Sequence, residues 1–349
     1  MGLGRSWNSK YWGNASAALA LATVCTGVLA QAYPTKPVRL IAPFPAGGSS
    51  DLLARILSQK LSETFLQQIV IDNRPGAGAN LGTQIAARAA ADGYTLMICS
   101  VTTTINVALY KNPGYTLKDF APISRLAIGP TALVVHPTVA AKSVAELIAL
   151  AKVRPGQLNY GSGGAGTPSH IIGEVFKHSA RVDITHVPYK GTGQSINDLI
   201  AGQIQIVFAS MPVSFPHMKT GRLRALAMTG AKRTLLAPDL PTIAESGVPG
   251  FAFDSWWGML APAGTPSAVI SKLDGDLRRA LALEDVKARL ADLGVDAAYA
   301  PPADFANFMR AEAAKVAKII QEAAIRVELL RRQAAQCCLS ARPPAQRSH

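Results

Sequence analysis

Short apolar runs alternate with segments in which apolar residues recur every three or four positions. The run KPVRLIAPF (36–44) is typical of a buried strand. The following DLLARILSQKLSETF has apolar residues at 52, 53, 56, 57 and 61, which is the spacing of one helix face. QIVIDN, LGTQIAARAAA and DGYTLMICS continue as strand, helix and strand. This alternation predicts an α/β fold with a largely parallel sheet.

The middle of the chain repeats the alternation, and the last third is mainly helical. Strands are predicted at TALVVHP, QLNYGS, DITHVPYKG and IQIVFAS, and helices at SVAELIALAKV, SHIIGEVFKHS and GQSINDLIAG. After SWWGMLAP, the pattern predicts helices SAVISKLDGDLRRALA, EDVKARLADLG and ADFANFMRAEAAKVAKIIQEA, the last ending near 324. The pattern stops after Glu328, so residues 329–349 are predicted to be a disordered, atypical tail.

The first 32 residues are predicted to be a secretory signal peptide. Arg5 and Lys10 precede the apolar stretch ASAALALATVCTGVLA, and the following AQA fits the small-x-small cleavage pattern. The stretch is shorter than the ~20 apolar residues of a membrane-spanning helix. We therefore expect export to the periplasm, with cleavage near Ala32 and a mature chain that begins near Tyr33.

Charge and cysteine content argue against nucleic-acid binding and against a disulfide-rich or metal-binding protein. Part of the formal charge of +13 comes from the signal segment and the tail, and the other basic residues are scattered with few aromatic neighbours. No nucleic-acid partner is therefore expected. Cys25 belongs to the signal segment, Cys337 and Cys338 are adjacent in the tail, and Cys99 is expected to be a buried free thiol. This spacing predicts neither a disulfide framework nor a metal site.

Two glycine-rich loops each follow a predicted strand and open a predicted helix, FPAGGSSD (44–51) and GSGGAGT (161–167). Glycine lets a ligand approach the backbone, and the unpaired N–H groups of a first helical turn attract an anion. Two such loops could hold a carboxylate without Lys or Arg; the alternative is that both are ordinary tight turns. We expect Gly48 and Gly163 to need close approach and a positive φ. Ser49, Ser50 or Asp51 is expected to cap the first helix.

The second loop also fits G-x-G-x-x-G, with Gly161, Gly163 and Gly166. Asp183 follows about twenty residues later, where dinucleotide-binding folds keep the acid that contacts the ribose. An NAD enzyme and an anion-binding protein are both compatible with this stretch. The chain has no G-x-S-x-G, H-E-x-x-H or Walker motif, which favours a protein that is not an enzyme.

Further polar candidates lie at strand ends. SVTTT (100–104) and Ser210 end predicted strands, where open α/β sheets bind ligands; the alternative for SVTTT is a helix cap. His170 could donate to an anion or pack on its own helix. Trp256 and Trp257 are expected in the core or beside a hinge, with lining of a cleft as the alternative.

Taken in order, these motifs are similar to those of the Bug-type extracytoplasmic receptors of tripartite tricarboxylate transporters. The resemblance covers about Tyr33 to Glu328. The matching stretches are YPTKPVRLIAPFPAGGSSD, DNRPGAGANLG, ADGYTLM, ELIALAKVRPGQLNYGSGGAGTPSH, HVPYKGTGQSINDLIAGQIQIVF, GRLRALAMTGAKR, PDLPTIAESGVPGF and WGMLAPAGTP.

The resemblance implies a two-lobed periplasmic-binding-protein fold (Venus flytrap, type II-like) with two interlobe crossovers, near 131 and 252. Lobe 1 would contain 33–131 and 253–328, and lobe 2 would contain 132–252. The two loops would hold a small carboxylate through main-chain amides and bridging waters, with no cofactor. The ligand-binding residues are then predicted to be Phe44, Ala46, Gly47, Gly48, Ser49, Asp51, Ser100, Thr102, Ser162, Gly163, Gly166, Thr167, His170, Tyr189 and Ser210.

The resemblance also implies partners. We expect a monomer that binds a small organic acid and delivers it to the membrane permease of a tripartite tricarboxylate-type transporter. A periplasmic sensor that feeds a signalling partner is the alternative, and an exported enzyme is less favoured. Many such receptors have an acidic or amide pair where this chain has Ala209-Ser210, which argues against an amino-acid ligand. The tail after Glu328 has no counterpart in the family.

Overall fold

The computed structural model describes residues 1–2, 33–234 and 236–325. Contacts divide the chain into two units, Met1–Thr35 and Lys36–His349, and the described helices and strands lie in the second unit. Apart from Met1 and Gly2, the predicted signal peptide lies outside the described residues, as does the tail at 329–349. Both therefore stay predictions.

The second unit alternates strands and helices, as the apolar pattern predicts. Its strands are β1 (Val38–Ala42), β2 (Ile69–Asn73), β3 (Thr95–Ser100), β4 (Phe120–Val135), β5 (Asn159–Ser162), β6 (Thr185–Pro188), β7 (Ile206–Ser210), β8 (Arg224–Met228), β9 (Asp254–Pro262) and β10 (Asp296–Ala300). Its helices are α1 (Ser49–Phe65), α2 (Asn80–Ala87), α3 (Val101–Leu109), α4 (Val144–Val153), α5 (Pro168–Ala180), α6 (Thr192–Ile200), α7 (Met211–Lys219), α8 (Ser267–Ala282), α9 (Glu284–Asp292) and α10 (Pro302–Glu322).

The strands form a mixed sheet in the order β2-β1-β3-β9-β4-β7-β5-β6, with β8 and β10 also paired to β4. β1 is parallel to β2 and β3, and β5 is parallel to β6 and β7. The pairs made by β4 and β9 are antiparallel. The expectation of a largely parallel sheet is therefore wrong, because an apolar run shows that a strand is buried but not which way it runs.

The long strand β4 passes from one group of strands into the other. Residues 120–130 pair with β9, ending at Pro130 opposite Asp254. Residues 131–135 pair with β7, beginning at Thr131 opposite Ser210. β4 and β9 therefore lie side by side near the two predicted crossovers. The predicted residue bounds of the lobes stay a prediction.

Some elements escaped prediction because local composition hides them. α7 has Pro212 in its first turn, where proline is tolerated, and Pro216 in its interior, where it is unfavourable. β10 reads DAAYA, in which alanine and aspartate are uncommon strand residues. These elements form because tertiary packing outweighs weak local preference.

The predicted apolar faces supply the core that fixes the strand ends. Leu53, Leu57 and Leu61 of α1 are fully buried, as their spacing predicts. Cys99 is confirmed as a buried free thiol, and burial raises its pKa. Since β1 and α1 are both anchored in this way, the loop between them has fixed ends.

The described part of the chain has neither a membrane-spanning helix nor a metal-binding cluster. None of its helices combines the length and apolar character that crossing a lipid bilayer requires. Within the same residues, no group of three or more His, Cys, Asp or Glu side chains could hold a metal ion.

Candidate functional site

A cavity of about 400 Å³ lies beside the crossing strands β4 and β9. Its wall includes the first turns of α1, α3, α5, α6 and α7. α1 and α3 follow β1 and β3 in one group of strands, and the other three helices follow β5, β6 and β7 in the other group. The N–H groups of a first turn have no acceptor in their own helix, and the helix dipole makes that end positive. Positive helix ends therefore surround the cavity.

No Asp, Glu, Lys or Arg among the described residues lines the cavity. The titratable side chain in its wall is His217, which is half-buried. Burial, followed by the charge of Arg222, lowers the pKa of His217. Lys190, the basic residue nearest in sequence to the α6 part of the wall, is exposed and lies outside it. An anion in the cavity would thus be held by main-chain dipoles and hydroxyl groups rather than by an ion pair.

The first loop, residues 44–51, is held from behind by a carboxylate. The Gly47 N–H donates to Asp51 Oδ2 at 2.9 Å, and Asn73 Nδ2 and the Arg55 guanidinium also donate to Asp51. Burial raises the pKa of Asp51, but hydrogen bonds from Arg55, Gly47 and Asn73 outweigh burial and hold the pKa below its ordinary value. Asp51 is buried and does not line the cavity, so its observed contacts are structural.

The start of α1 leaves donors facing the cavity. Its N-cap is Gly48, and no side chain caps the helix, so the expected cap by Ser49, Ser50 or Asp51 is wrong. The cap falls on a residue without a side chain, and the main-chain N–H groups of Ser49 and Ser50 have no acceptor within the described residues. Gly48 has φ −77°, and the positive φ expected of it occurs at Gly47 instead.

The second loop, residues 161–167, uses its amides internally. Gly163 N–H donates to Ser169 Oγ at 3.0 Å, Gly164 N–H to Ser162 Oγ at 3.1 Å, and Gly166 N–H to His170 Nδ1 at 3.4 Å. Positive φ occurs at Gly164 and Gly166 but not at Gly163, contrary to expectation. The part of this side that faces the cavity is Thr167, Pro168 and Ser169, at the start of α5.

Glycine at 163 is required by close approach to another helix. A Cβ there would lie 2.8 Å from Thr192 Oγ1, at the start of α6. The close approach expected at Gly163 therefore occurs, but the neighbour is the side chain of Thr192 and not a ligand. The loop is therefore packed tightly between the first turns of α5 and α6.

Buried histidines support the second loop. His186 Nε2 lies 2.6 Å from Ser162 Oγ, the His170 and His186 rings are 4.6 Å apart, and Tyr160 stacks on His186 at 4.9 Å. Burial is the main cause that lowers the pKa of His170 to about 4 and that of His186 to about 2. Both rings are therefore uncharged at neutral pH. His170 does not line the cavity, and its observed role is to hold the loop.

Hydroxyl groups at strand ends line the cavity from the sheet side. Ser100 Oγ accepts from the Thr102 N–H at 3.4 Å, so Ser100 caps α3 while both residues line the cavity. Thr131 and Ser255 share a 3.0 Å hydrogen bond between β4 and β9 and also line it. No local pattern marks this pair, because the two residues are 124 positions apart and meet only where β4 and β9 pair.

The two groups of strands touch across the cavity. Ser49 Oγ lies 2.7 Å from Ser210 Oγ, and a Cβ on Gly191 would lie 3.0 Å from the Pro45 ring. A Cβ on Gly78 would overlap the carbonyl oxygen of Ala165. The first loop and the 76–79 loop therefore both contact elements of the other group.

The structure brings most of the predicted site residues to the cavity. Those that line it are Phe44, Ala46, Gly47, Gly48, Ser49, Ser100, Thr102, Thr167 and Ser210. Those that do not are Asp51, Ser162, Gly163, Gly166, His170 and Tyr189. Polar lining residues that were not among the predicted ligand-binding residues include Thr131, Ser169, Thr192, Gln194, Asn197, His217 and Ser255. Trp256 and Trp257, for which lining of a cleft was the alternative, both line the cavity and are buried.

Asp183 lies away from the glycine-rich loop. It precedes β6, whereas the loop follows β5, and these strands are parallel, so the two occupy opposite ends of the sheet. The Asp183 carbonyl accepts from the Gly156 N–H at that far end. A ribose held by Asp183 could not reach the loop, and the geometry therefore disfavours the dinucleotide interpretation.

Comparison with known proteins agrees with the geometry. The profile of the family described as "Tripartite tricarboxylate transporter family receptor" matches residues 53–325. The protein BugT of Bordetella pertussis is 34% identical over 307 residues, which is 87% of this chain and 94% of BugT.

Solved structures agree in fold as well. A Rhodopseudomonas palustris protein solved with adipate is 36% identical with a TM-score of 0.82, covering 84% of this chain and 99% of that one. MatC from Rhodopseudomonas palustris, solved with bound malate, is 31% identical with a TM-score of 0.79, covering 82% of this chain and 100% of that one. The expected α/β periplasmic-binding-protein fold is confirmed.

Proposed function

The chain belongs to the tripartite tricarboxylate transporter receptor family, whose members are periplasmic substrate-binding receptors, and from that premise we propose that it binds a small organic carboxylate for transport. In this proposal the acid sits in the cavity beside β4 and β9, and the loaded receptor delivers it to a membrane permease of the same transporter class. The protein performs no chemistry on the acid. It is exported to the periplasm, with a signal peptide cleaved near Ala32.

One observation carries the proposal: positive helix ends surround a cavity whose described wall has no charged side chain. Such a wall attracts an anion through main-chain N–H groups and hydroxyls. A micromolar ligand needs ~8 kcal/mol, and a hydrogen bond to a charged group contributes roughly 1.5–3 kcal/mol. About four or five donors are therefore sufficient, and the Ser49 and Ser50 N–H groups together with the Ser49 and Thr102 hydroxyls offer four.

Binding in this cavity also requires that the two groups of strands move relative to each other. Ser49 contacts Ser210, and Pro45 approaches Gly191, so the cavity is partly closed as it stands. We propose lobes of residues 33–131 with 253–328 and of residues 132–252, which open about β4 and β9 to admit the acid. The side-by-side run of β4 and β9 near Pro130 and Asp254 supports a hinge there.

The test is a thermal-shift screen of malate, adipate, citrate and benzoate, followed by calorimetric titration of the acid with the largest shift. A ligand at ~100 times its dissociation constant adds ~2.7 kcal/mol to the free energy of unfolding. We expect at least one acid to raise the melting temperature, with no product formed on long incubation. Turnover of the bound acid would contradict the receptor function, and the absence of a shift with every carboxylate would contradict carboxylate binding.

A matched pair of valine variants tests the location. Gly48 lines the cavity with an ordinary φ, so a valine there is compatible with the backbone dihedrals, although its Cβ would lie 3.3 Å from the Pro45 carbonyl oxygen. The branched side chain would stand in the cavity wall, where the acid is proposed to bind. We expect its affinity to fall at least tenfold. Gly275→Val is the control, because Gly275 lies on α8 away from the cavity and its nearest atom, Arg279 Nη1, is 3.8 Å from the added Cβ. Equal binding by both variants would place the site elsewhere.

A further inference from the structure

The cavity has a buried end and an outer end. Thr131, Ser255 and Trp256 at the buried end are almost inaccessible to solvent. At the outer end, Asn197 and Pro216 are exposed and His217 is half-buried. A ligand whose first acid group lies among the first turns of the helices would therefore extend toward the outer end, where Asn197 of α6 and His217 of α7 lie.

His217 faces the cavity by the geometry of its helix. Val213, Pro216 and His217 are spaced i, i+3, i+4 on α7, so they share one face, and all of them line the cavity. Ser210, at the N-cap of the same helix, lines the cavity as well. At 1.5 Å per residue, His217 lies about 10 Å along the helix axis from Ser210.

The wall between these points is apolar. Ile196 and Val213 are buried there, and Leu52 packs with the same core cluster. A saturated carbon chain fits this stretch, since apolar contact stabilises a ligand in proportion to the area removed from water. The cavity thus has polar groups at both ends and aliphatic side chains between them.

The His217 imidazole is available to a ligand. No hydrogen bond to its ring is formed within the described residues. The charged group that acts on it is Arg222, and burial together with that charge lowers its pKa. At neutral pH the ring is therefore an uncharged donor, which can give one hydrogen bond without a permanent charge.

We propose that His217 binds a second acid group of the ligand, which makes the protein selective for aliphatic dicarboxylates whose acid groups are separated by several methylene groups. This inference rests on the proposed carboxylate-binding function and deepens it. The first acid group binds at the helix ends near Ser49 and Ser210, the methylene chain lies along Ile196 and Val213, and the second acid group accepts a hydrogen bond from His217.

The experiment compares acids of equal chain length that differ by one acid group. Calorimetric titration of the full chain is made with adipate and hexanoate, and then with succinate and suberate for the dependence on length. We expect adipate to bind about tenfold more tightly than hexanoate, the equivalent of about 1.4 kcal/mol. Succinate is expected to bind less tightly than adipate, because its second acid group cannot reach His217.

Variants assign the difference to His217. We expect His217→Leu to lower the adipate affinity about tenfold and leave the hexanoate affinity unchanged, so that the two acids bind alike. His217→Gln, which keeps an N–H donor, should restore part of the preference for adipate. Lys219→Gln is the matched control, since Lys219 is a cation on the same helix outside the cavity wall, and it should leave the preference unchanged.

The outcomes separate the two proposals. Equal affinity for adipate and hexanoate in the unaltered protein, or an unchanged preference in His217→Leu, overturns the role of His217 and leaves carboxylate binding intact. Binding of benzoate or citrate with no binding of any aliphatic diacid also overturns the inference alone. Absence of binding by every carboxylate overturns the proposed function and the inference together.

Discussion

His170 and His186 make the second loop sensitive to acid although neither lines the cavity. The two rings are packed 4.6 Å apart beneath the loop, and burial is the main cause that lowers both pKa values, to about 4 and about 2. An unfolded chain has no such burial, so its histidines titrate near pH 6.5. Below that pH the unfolded state binds protons that the folded state excludes, and the free energy of unfolding must fall.

We therefore expect the free energy of unfolding to decrease as the pH falls from about 6.5 toward 4, by up to about 1.4 kcal/mol per pH unit for each of these histidines. Urea denaturation at several pH values between 6.5 and 5 measures this slope, in a range where few carboxylates titrate. His170→Gln removes one of the two groups and should flatten the slope by about half of that contribution.

His178→Gln serves as the control for that measurement. His178 lies on the same helix, α5, but is exposed. Its replacement should leave the slope as it is in the unaltered protein. A slope in His170→Gln that equals the slope of the control would show that burial of His170 does not oppose protonation.

At the scale of elements, loop 76–79 meets the second glycine-rich loop at a position where only glycine fits. Gly78 has φ 60°, and a Cβ there would overlap the Ala165 carbonyl oxygen. The Tyr110 hydroxyl donates to the same carbonyl at 3.4 Å. Gly78 and Tyr110 belong to one group of strands and Ala165 to the other, so this contact forms only when the groups are close.

Gly78→Ala should therefore weaken binding of an acid that it does not touch. An added methyl group would push the two loops apart. We therefore expect the affinity for the acid to be roughly tenfold lower, which corresponds to a loss of about 1.4 kcal/mol in binding free energy. The measurement is calorimetric titration with the acid identified by the screen.

Gly221→Ala is the matched control for the effect of backbone strain. Gly221 has φ 69°, and nothing lies within 4 Å of an added Cβ. A non-glycine residue in this region costs about 1–2 kcal/mol, which should reduce stability in both variants but affinity only in Gly78→Ala. Equal affinities in the two variants would show that the 76–79 loop plays no part in binding.

At the scale of the whole molecule, the proposed hinge predicts a change of shape on binding. If the two groups of strands close on the acid about β4 and β9, the radius of gyration should decrease when the acid saturates the protein. Small-angle scattering with and without the acid measures this change, and Gly78→Ala should reduce it. Identical scattering curves for the free and saturated protein would contradict closure.

The sequence by itself determined the helices and strands whose buried residues recur at a regular spacing. It also determined the position of the glycine-rich loops. The α1 face at 53, 57 and 61, the buried Cys99, and glycine-rich loops between strands and helices were all predictable, because short-range spacing and side-chain volume decide them. The ordered motifs also indicated the family. Most of the candidate positions in the first loop line the cavity.

Only the tertiary structure decided the direction of β4 and β9, the existence of α7, and the pairing of Thr131 with Ser255. It also separated groups that line the cavity, such as Ser49, from groups that hold a loop in place, such as Asp51. A local pattern cannot make that distinction, because both kinds of residue are polar and adjacent in sequence. Which way a side chain points, and which partner satisfies it, depends on residues far away in sequence, as for Ser49 and Ser210, which are 161 positions apart.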